Sequence, residues 1–404
     1  MSLSPRAHVA VIIAAQVLVQ IGAFALPALL PHYIGAWELT KTEAGWLIGI
    51  FFAAYVAAVP LLMALTDRVP ARRIYLVGSG LTALSHLGFA TLAEGFWAGL
   101  ALRAVAGVGW AGCYMPGLKA IADPLSGTAQ SRAVSLHAAG VGVAGACSFL
   151  VAGFVDALAG PRMAFLAMAL CAAAAFLLAL RVMPGTPPPA AAPGERRALL
   201  DFRPVLANRR AMAWIAGYTV HTLELAALRA WAVTFLGVAA AWHGVPGWVP
   251  DPTVLFTAAG LLGIAVSITG NESAQRFGRQ RVVTLAMGSA AVLSVLAGWS
   301  AGFGFVPALA LVLVWNAAIY LDSSALTAGT VQAAGPGLRG ATMGLHSMLG
   351  YAGGFVGPVA VGLALDFFGE GPLGWGIAFG QIAVLTLAGL AAVRVLGRAP
   401  EPPR

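Results

Sequence analysis

The sequence predicts an all-α integral membrane protein with twelve transmembrane helices arranged as two six-helix bundles. Three observations support this. The 404 residues are 60% hydrophobic and only 9% charged, whereas soluble domains carry about a quarter charged residues. Apolar stretches long enough to cross a bilayer, about 20 residues each, recur near residues 8–33, 44–65, 74–93, 96–121, 134–155, 163–183, 211–239, 252–270, 282–299, 304–332, 342–367 and 374–396. The charges are also sorted between alternate loops. Of 23 Lys and Arg residues, only Lys41 and Arg162 fall on one side, where Glu38, Glu43, Glu94, Asp156, Asp251, Asp366 and Glu370 collect. Arg103 and Arg229 lie inside spans, and the rest lie on the opposite side. Basic residues mark cytoplasmic loops, so both termini are expected in the cytoplasm. The formal charge of +8 then needs no nucleic-acid partner.

Taken in order, the first span follows Met1–Ala10 directly and has no small-residue cleavage site, so it reads as a retained helix rather than a signal peptide. Cys113, Cys147 and Cys171 all lie in apolar runs, which implies neither a disulfide framework nor a metal cluster. After the second span comes "TDRVPARRIYLVGS", and after the eighth the similar "QRFGRQRVVTLAMGS". "SRAVSLHAAGVGVAG" opens the fifth span and "LRGATMGLHSMLGYAGG" the eleventh, which places His137 and His346 alike, with Asp156 and Asp366 at the outer ends. Such echoes indicate a duplicated bundle, an architecture that transporters use. The sixth and seventh spans are joined by "PGTPPPAAAPGERRALLDFRPVLANRR", a Pro-rich and then basic stretch. The expected division is therefore a bundle over 1–183, a cytoplasmic linker over 184–210 and a second bundle over 211–404.

This organisation resembles the major facilitator superfamily, and the resemblance covers essentially the whole chain. The family's loop signature is Gly-x-x-x-Asp-Arg-x-Gly-Arg-Arg. Asp67, Arg68, Arg72 and Arg73 match the first copy, with Met63 and Pro70 in place of its glycines. Arg276, Gly278, Arg279 and Arg281 match the second, where Gln275 stands for the Asp. The resemblance implies that these residues form an electrostatic clasp that latches neighbouring helices in one conformation. "RAVAGVGWAG" in the fourth span resembles a further signature, Arg-x-x-x-Gly-x-Gly. The Gly-Pro pair of the antiporter signature is absent from the fifth span, and "GGFVGPVAVG" appears in the eleventh instead.

Ionisable residues inside a bilayer are costly and usually face the bundle interior. Arg103, Gly107, Trp110 and Tyr114 fall within a stripe of about 60° on the fourth span, so one face offers a cation, a gap and two aromatics. The seventh span carries His221, Glu224 and Arg229. Glu224 and Arg229 are about 140° apart and about 7.5 Å along the axis, so each is expected to find a partner elsewhere. A carboxylate removed from water can hold a proton near neutral pH. Glu224 is therefore the first candidate for a coupling proton, with His221 beside it and Asp322 of the tenth span second. Candidate substrate contacts are Arg103, Arg229, Trp110, Tyr114, Trp231, Trp315 and the pair Gln16 and Gln20. Gln16 and Gln20 read equally as interhelical glue. His137 and His346 are expected to serve loop contacts at the cytoplasmic ends.

Three function classes compete. A secondary active transporter explains the duplication, the charge pattern and the intramembrane ions. A membrane enzyme lacks support, because His221-x-x-Glu224 is not the His-Glu-x-x-His metal motif and no Gly-x-x-x-x-Gly-Lys loop is present. A nutrient sensor on a transporter scaffold is the third. The expectation is a monomeric carrier in a bacterial inner membrane, moving a small organic anion with protons and needing no cofactor. The alternatives are a drug–proton antiporter or the sensor. The two arginines, one from each half, suit a carboxylate through their planar forks.

Overall fold

The computed structural model describes residues 5–66, 68–123, 125–185 and 201–397. Asp67, residues 186–200 of the expected linker and the two chain ends lie outside the described residues. Among those described, the helices are α1 (Pro5–Gln20), α2 (Ala25–Ala36), α3 (Lys41–Leu65), α4 (Ala71–Thr91), α5 (Gly95–Ala122), α6 (Gly127–Ala159), α7 (Pro161–Val182), α8 (Arg203–Ala207), α9 (Arg209–His243), α10 (Pro252–Phe277), α11 (Arg279–Ser300), α12 (Phe305–Ala333), α13 (Arg339–Phe368) and α14 (Pro372–Gly397). Twelve candidate spans result, with α1 and α2 together forming the first and the short α8 forming none.

The chain divides into two compact units. Unit 1 comprises Met1–Glu38, Ile50–Leu199 and Thr253–Leu261; unit 2 comprises Leu39–Gly49, Leu200–Pro252 and Leu262–Arg404. In unit 1, α4 packs on α5 and α7, and α1 packs on α6 and α7. The α4–α5 contact is close because Gly78 faces Gly112, where an added Cβ would lie 2.8 Å from backbone carbon. Small residues of this kind let membrane helices pack when no hydrophobic effect drives them together. In unit 2, α9 is the central helix, packed on α12, α13 and α14. The "GGFVGP" segment of α13 serves this packing, since Gly353 and Gly357 sit directly against the α9 backbone at Thr219 and Leu223.

The first span is broken, and its sequence says why. Pro27 has no N–H, so the carbonyl of Ala23, four residues earlier, loses its helical donor. The chain turns at 21–24 before α2 resumes. Irregular backbone within a membrane must find other partners. Ser148 Oγ of α6 accepts from Phe24 N–H at 3.0 Å, and Arg103 Nη2 of α5 donates to Ala23 O at 3.4 Å.

The start of α3 is capped on all sides. Thr40 and Glu43 form a reciprocal capping box, Thr40 N–H donating to Glu43 Oε2 at 2.9 Å and Glu43 N–H to Thr40 Oγ1 at 3.1 Å. The next two amides, Lys41 and Thr42, donate to the two carboxylate oxygens of Asp366 at 2.8 and 2.7 Å. Lys41 Nζ also pairs with Glu370 at 3.0 Å. Capping sites leave orphan N–H groups that an acid satisfies while it meets the positive end of the helix dipole. Asp366, recognised in the sequence only as a repeated outer acid, has this role in unit 2.

Candidate functional site

Unit 2 holds the densest group of buried ionisable residues. Tyr218, His221 and Glu224 follow one another at three-residue steps on α9, which places them on neighbouring positions of one helix flank. Glu224 is 3% exposed. Its Oε1 accepts from Trp315 Nε1 at 2.6 Å and its Oε2 from Thr386 Oγ1 at 3.2 Å. Both donors are neutral, and among the described residues no basic side chain pairs with it. His221 Nδ1 lies 2.8 Å from Asp322 Oδ1, with both side chains nearly sealed from solvent. Tyr218 stacks on His221, centroids 5.6 Å apart, and on His346, centroids 3.8 Å apart. His346 in turn meets Thr330 Oγ1 through Nδ1 at 3.1 Å and Thr327 Oγ1 through Nε2 at 3.4 Å. Four helices therefore converge on one polar line. Arg229 donates to the Tyr320 hydroxyl and its guanidinium sits over that ring at 5.6 Å.

Unit 1 is arranged differently. Arg103, 1% exposed, lies over the Phe51 ring at 4.7 Å and is directed to the Ala23 carbonyl. Trp110 stacks on Phe51 at 4.8 Å and also meets Tyr55 at 5.5 Å. Tyr114, half-buried, stacks on His137 at 5.6 Å. Gln16 and Gln20 are buried, and neither amide has a hydrogen-bond partner among the described residues.

These positions show what each expected site residue touches. Trp231, expected as an apolar wall for substrate, is fully buried. Its Nε1 donates to Pro358 O at 2.9 Å and its ring meets Trp375 edge-on at 6.2 Å, so it packs α9 against α13 and α14. Trp315, expected in the same role, is fully buried and holds Glu224. Arg103 is enclosed by Phe51 and the broken turn rather than open to a solute. Arg229 is met by Tyr320, while Glu224 is held by Trp315 and Thr386 and Asp322 lies against His221. His137 and His346 are buried side chains stacked on tyrosines, not loop contacts. Tyr218, Thr386, Tyr320, Thr327 and Thr330 were missed, although their helical setting beside titratable residues was visible.

The basic loops hold helix ends inside each unit. Arg72 donates to the carbonyl of Leu180 in the last turn of α7, where a cation meets the negative end of a helix. Arg279 donates to Gln332 near the end of α12, and Arg276 lies over Phe277 at 5.2 Å. Arg68, Arg73 and Arg281 are exposed. Asp67, the acid of the expected clasp, is among the residues not described.

These features define a multi-pass helical membrane protein whose buried ionisable groups lie within its bundles, the class of solute transporters rather than of enzymes. The chain belongs to the Major Facilitator Superfamily, whose family profile matches residues 12–358. It is similar to monocarboxylate transporter 11 of Mus musculus, 30% identical over 385 residues that cover 86% of this chain and 77% of that protein. The human protein of the same name is 29% identical over 279 residues, 61% of this chain, and the match spans 56% of its length. Among solved structures, the nucleoside transporter NupG superposes with a TM-score of 0.76 at 14% identity, covering 98% of this chain and all of that one. An inward-facing, occupied bacterial homologue of the human lysosomal transporter Spinster gives 0.77 at 16% identity, with 98% of both chains covered. Identities this low establish the fold alone.

Proposed function

We propose that this transporter carries a small organic anion, a carboxylate in the first instance, together with protons, and that Glu224 is the coupling site. The observation that carries the reading is the setting of Glu224: a carboxyl group buried in a bundle and held by two neutral donors. A charge in such a place is expensive unless paired. A group that gains and loses a proton there changes the local charge by a full unit, which couples helix packing to proton supply. His221, on the same flank of α9, lies 2.8 Å from Asp322 of α12, which makes Asp322 the second candidate for the coupling site. Arg229, half-buried beside Tyr320, is the cation that recognises the anion in unit 2, and Tyr114 is the accessible aromatic in unit 1. The similarity to proteins named monocarboxylate transporter favours a carboxylate over a lipophilic drug cation. The family resemblance favours a monomeric carrier in a bacterial inner membrane, and charge placement favours both termini in the cytoplasm.

The test is uptake into proteoliposomes. With a small carboxylate such as radiolabelled lactate, wild type should accumulate it when an inward proton gradient is imposed. Glu224→Gln should lose accumulation while retaining exchange between the two sides. Unchanged accumulation in that variant removes Glu224 from the role. Loss in Asp322→Asn alone transfers the role to the His221–Asp322 pair. Transport only of lipophilic cations would instead favour the drug–proton antiporter reading.

A further inference from the structure

We infer that Thr386 of α14 is the positioning residue for the proton of Glu224: the carboxyl group carries its proton on Oε2, and the Thr386 hydroxyl receives it by reversing the direction of their hydrogen bond. The inference rests on the proposed role of Glu224 and adds to it the atom that carries the proton and the side chain that governs it. Glu224, Trp315 and Thr386 all lie in unit 2, on α9, α12 and α14. Thr386 and Trp315 are 0% exposed and Glu224 3%. Their hydrogen bonds must therefore be met by one another and by the helices around them.

The two partners of the carboxyl group differ in what they can do. An indole N–H only donates, whereas a hydroxyl both donates and accepts. Oε1 accepts from Trp315 Nε1 at 2.6 Å, so a proton on Oε1 would find no acceptor there. A proton on Oε2 finds Thr386 Oγ1, 3.2 Å away. A buried O–H without an acceptor is costly, which assigns the proton to Oε2. The threonine has a second place for its own hydrogen. Thr219, Thr257 and Thr330 each donate to the carbonyl four residues earlier, at 2.9, 2.8 and 3.1 Å. For Thr386 that carbonyl belongs to Ile382 of α14. With Glu224 ionised, Thr386 donates to Oε2. With Glu224 protonated, Oε2–H donates to Thr386 Oγ1 and the threonine hydrogen turns to Ile382 O. Neither state orphans a polar group.

The titratable groups around this part of α9 have other partners. His221 and Arg229 lie on α9 itself, Tyr320 and Asp322 on α12, and His346 and Tyr351 on α13. His221 lies against Asp322, Arg229 meets Tyr320, and His346 faces Thr327 and Thr330. The ionisable residue of α14 is Arg394, in its last turn. Among the described residues none of these groups is hydrogen-bonded to Glu224. Asp322 acts on it through charge, and that charge is kept in every variant below.

Infrared difference spectroscopy between acidic and alkaline buffer, on the full-length protein in nanodiscs, reads the carboxyl group without any substrate. Wild type should show a protonated-carboxyl band that Glu224→Gln lacks; absence of such a band overturns the inference. Thr386→Val replaces the hydroxyl by a methyl group. It should move the midpoint of that band upward by about one pH unit, because bonds to an ionised group are stronger than bonds to a neutral one. Thr386→Ser keeps the hydroxyl and should restore the wild-type midpoint. An unmoved midpoint in Thr386→Val, or an equal shift in Thr386→Ser, overturns the assignment. Trp315→Phe should raise the carbonyl frequency of the band, since Oε1 is then the carbonyl oxygen that loses the indole. If Thr386→Val raises that frequency and Trp315→Phe does not, the proton is on Oε1 and the assignment falls. Lactate accumulation tests the coupling role separately. Full accumulation in Glu224→Gln with these band shifts intact refutes coupling while the Thr386 switch stands. Lost accumulation in Glu224→Gln with an unmoved midpoint in Thr386→Val refutes the switch while coupling stands.

Discussion

In unit 1 the buried guanidinium of Arg103 serves a carbonyl that Pro27 leaves open, and the amides of Gln16 and Gln20 have no partner among the described residues. In unit 2 the corresponding first helix, α9, runs unbroken for 35 residues and carries His221 and Glu224, each bonded to a side chain of another helix. Yet unit 1 buries the cation of Arg103, whereas unit 2 buries the acids Glu224 and Asp322. A guanidinium stays charged under almost all conditions, so Arg103 can brace but cannot switch. A carboxyl group and an imidazole can change charge at accessible pH. On the proposed function, the coupling carboxyl belongs to unit 2, while Arg103 in unit 1 is left a bracing role.

The largest expected effect tests this directly. Glu224→Gln should reduce proton-driven accumulation to background in the vesicle assay, whereas Arg103→Met should leave the dependence on the proton gradient intact. A reversal would collapse the contrast between the units. Arg103→Met should instead appear in stability. It leaves the Ala23 carbonyl without that donor, and an unsatisfied buried group costs about 1–3 kcal/mol. A lowered midpoint of thermal unfolding with unchanged substrate affinity supports bracing; a pure affinity loss would return Arg103 to substrate binding.

A smaller effect is expected at the α3 cap. Asp366→Asn removes the charge that meets two amides at a helix start, at a cost of about 1 kcal/mol. Adding salt should narrow the gap between the variant and wild type, because ionic strength screens the charge–dipole part. A gap that salt does not alter would indicate that the hydrogen bonds alone matter. The smallest effect belongs to unit 1. Gln16→Met replaces an unpartnered amide by a chain of similar size, so unfolding should shift by no more than about 0.5 kcal/mol and can move upward. A large loss would show that Gln16 is hydrogen-bonded in the working protein.

Much of the fold was legible because it is written in local properties. Hydrocarbon thickness sets span length, so the apolar runs alone predicted α3 to α7 and α9 to α14. Pro27 was also present in the sequence, but its consequence was not drawn, since a single proline is often tolerated in a membrane helix when other groups take up the freed carbonyl. The histidines show a different limit. His137 and His346 were matched correctly as repeat partners, yet position near a helix end was read as exposure. Burial at that end depends on Tyr114 and Tyr218, each on another helix.

By itself the sequence determined that this chain is a twelve-span helical carrier and that its ionisable residues of interest are Arg103, His221, Glu224, Arg229 and Asp322. These follow from composition, length and periodicity, which act over a few turns of chain. Only the tertiary structure decided what each residue touches. Trp315 is 91 positions from Glu224 and Thr386 is 162, and no periodicity within a helix encodes such pairings. They arise when glycine-lined faces bring α9, α12, α13 and α14 together. Buried polar atoms must then find partners among whatever side chains that packing presents, because hydrocarbon offers none.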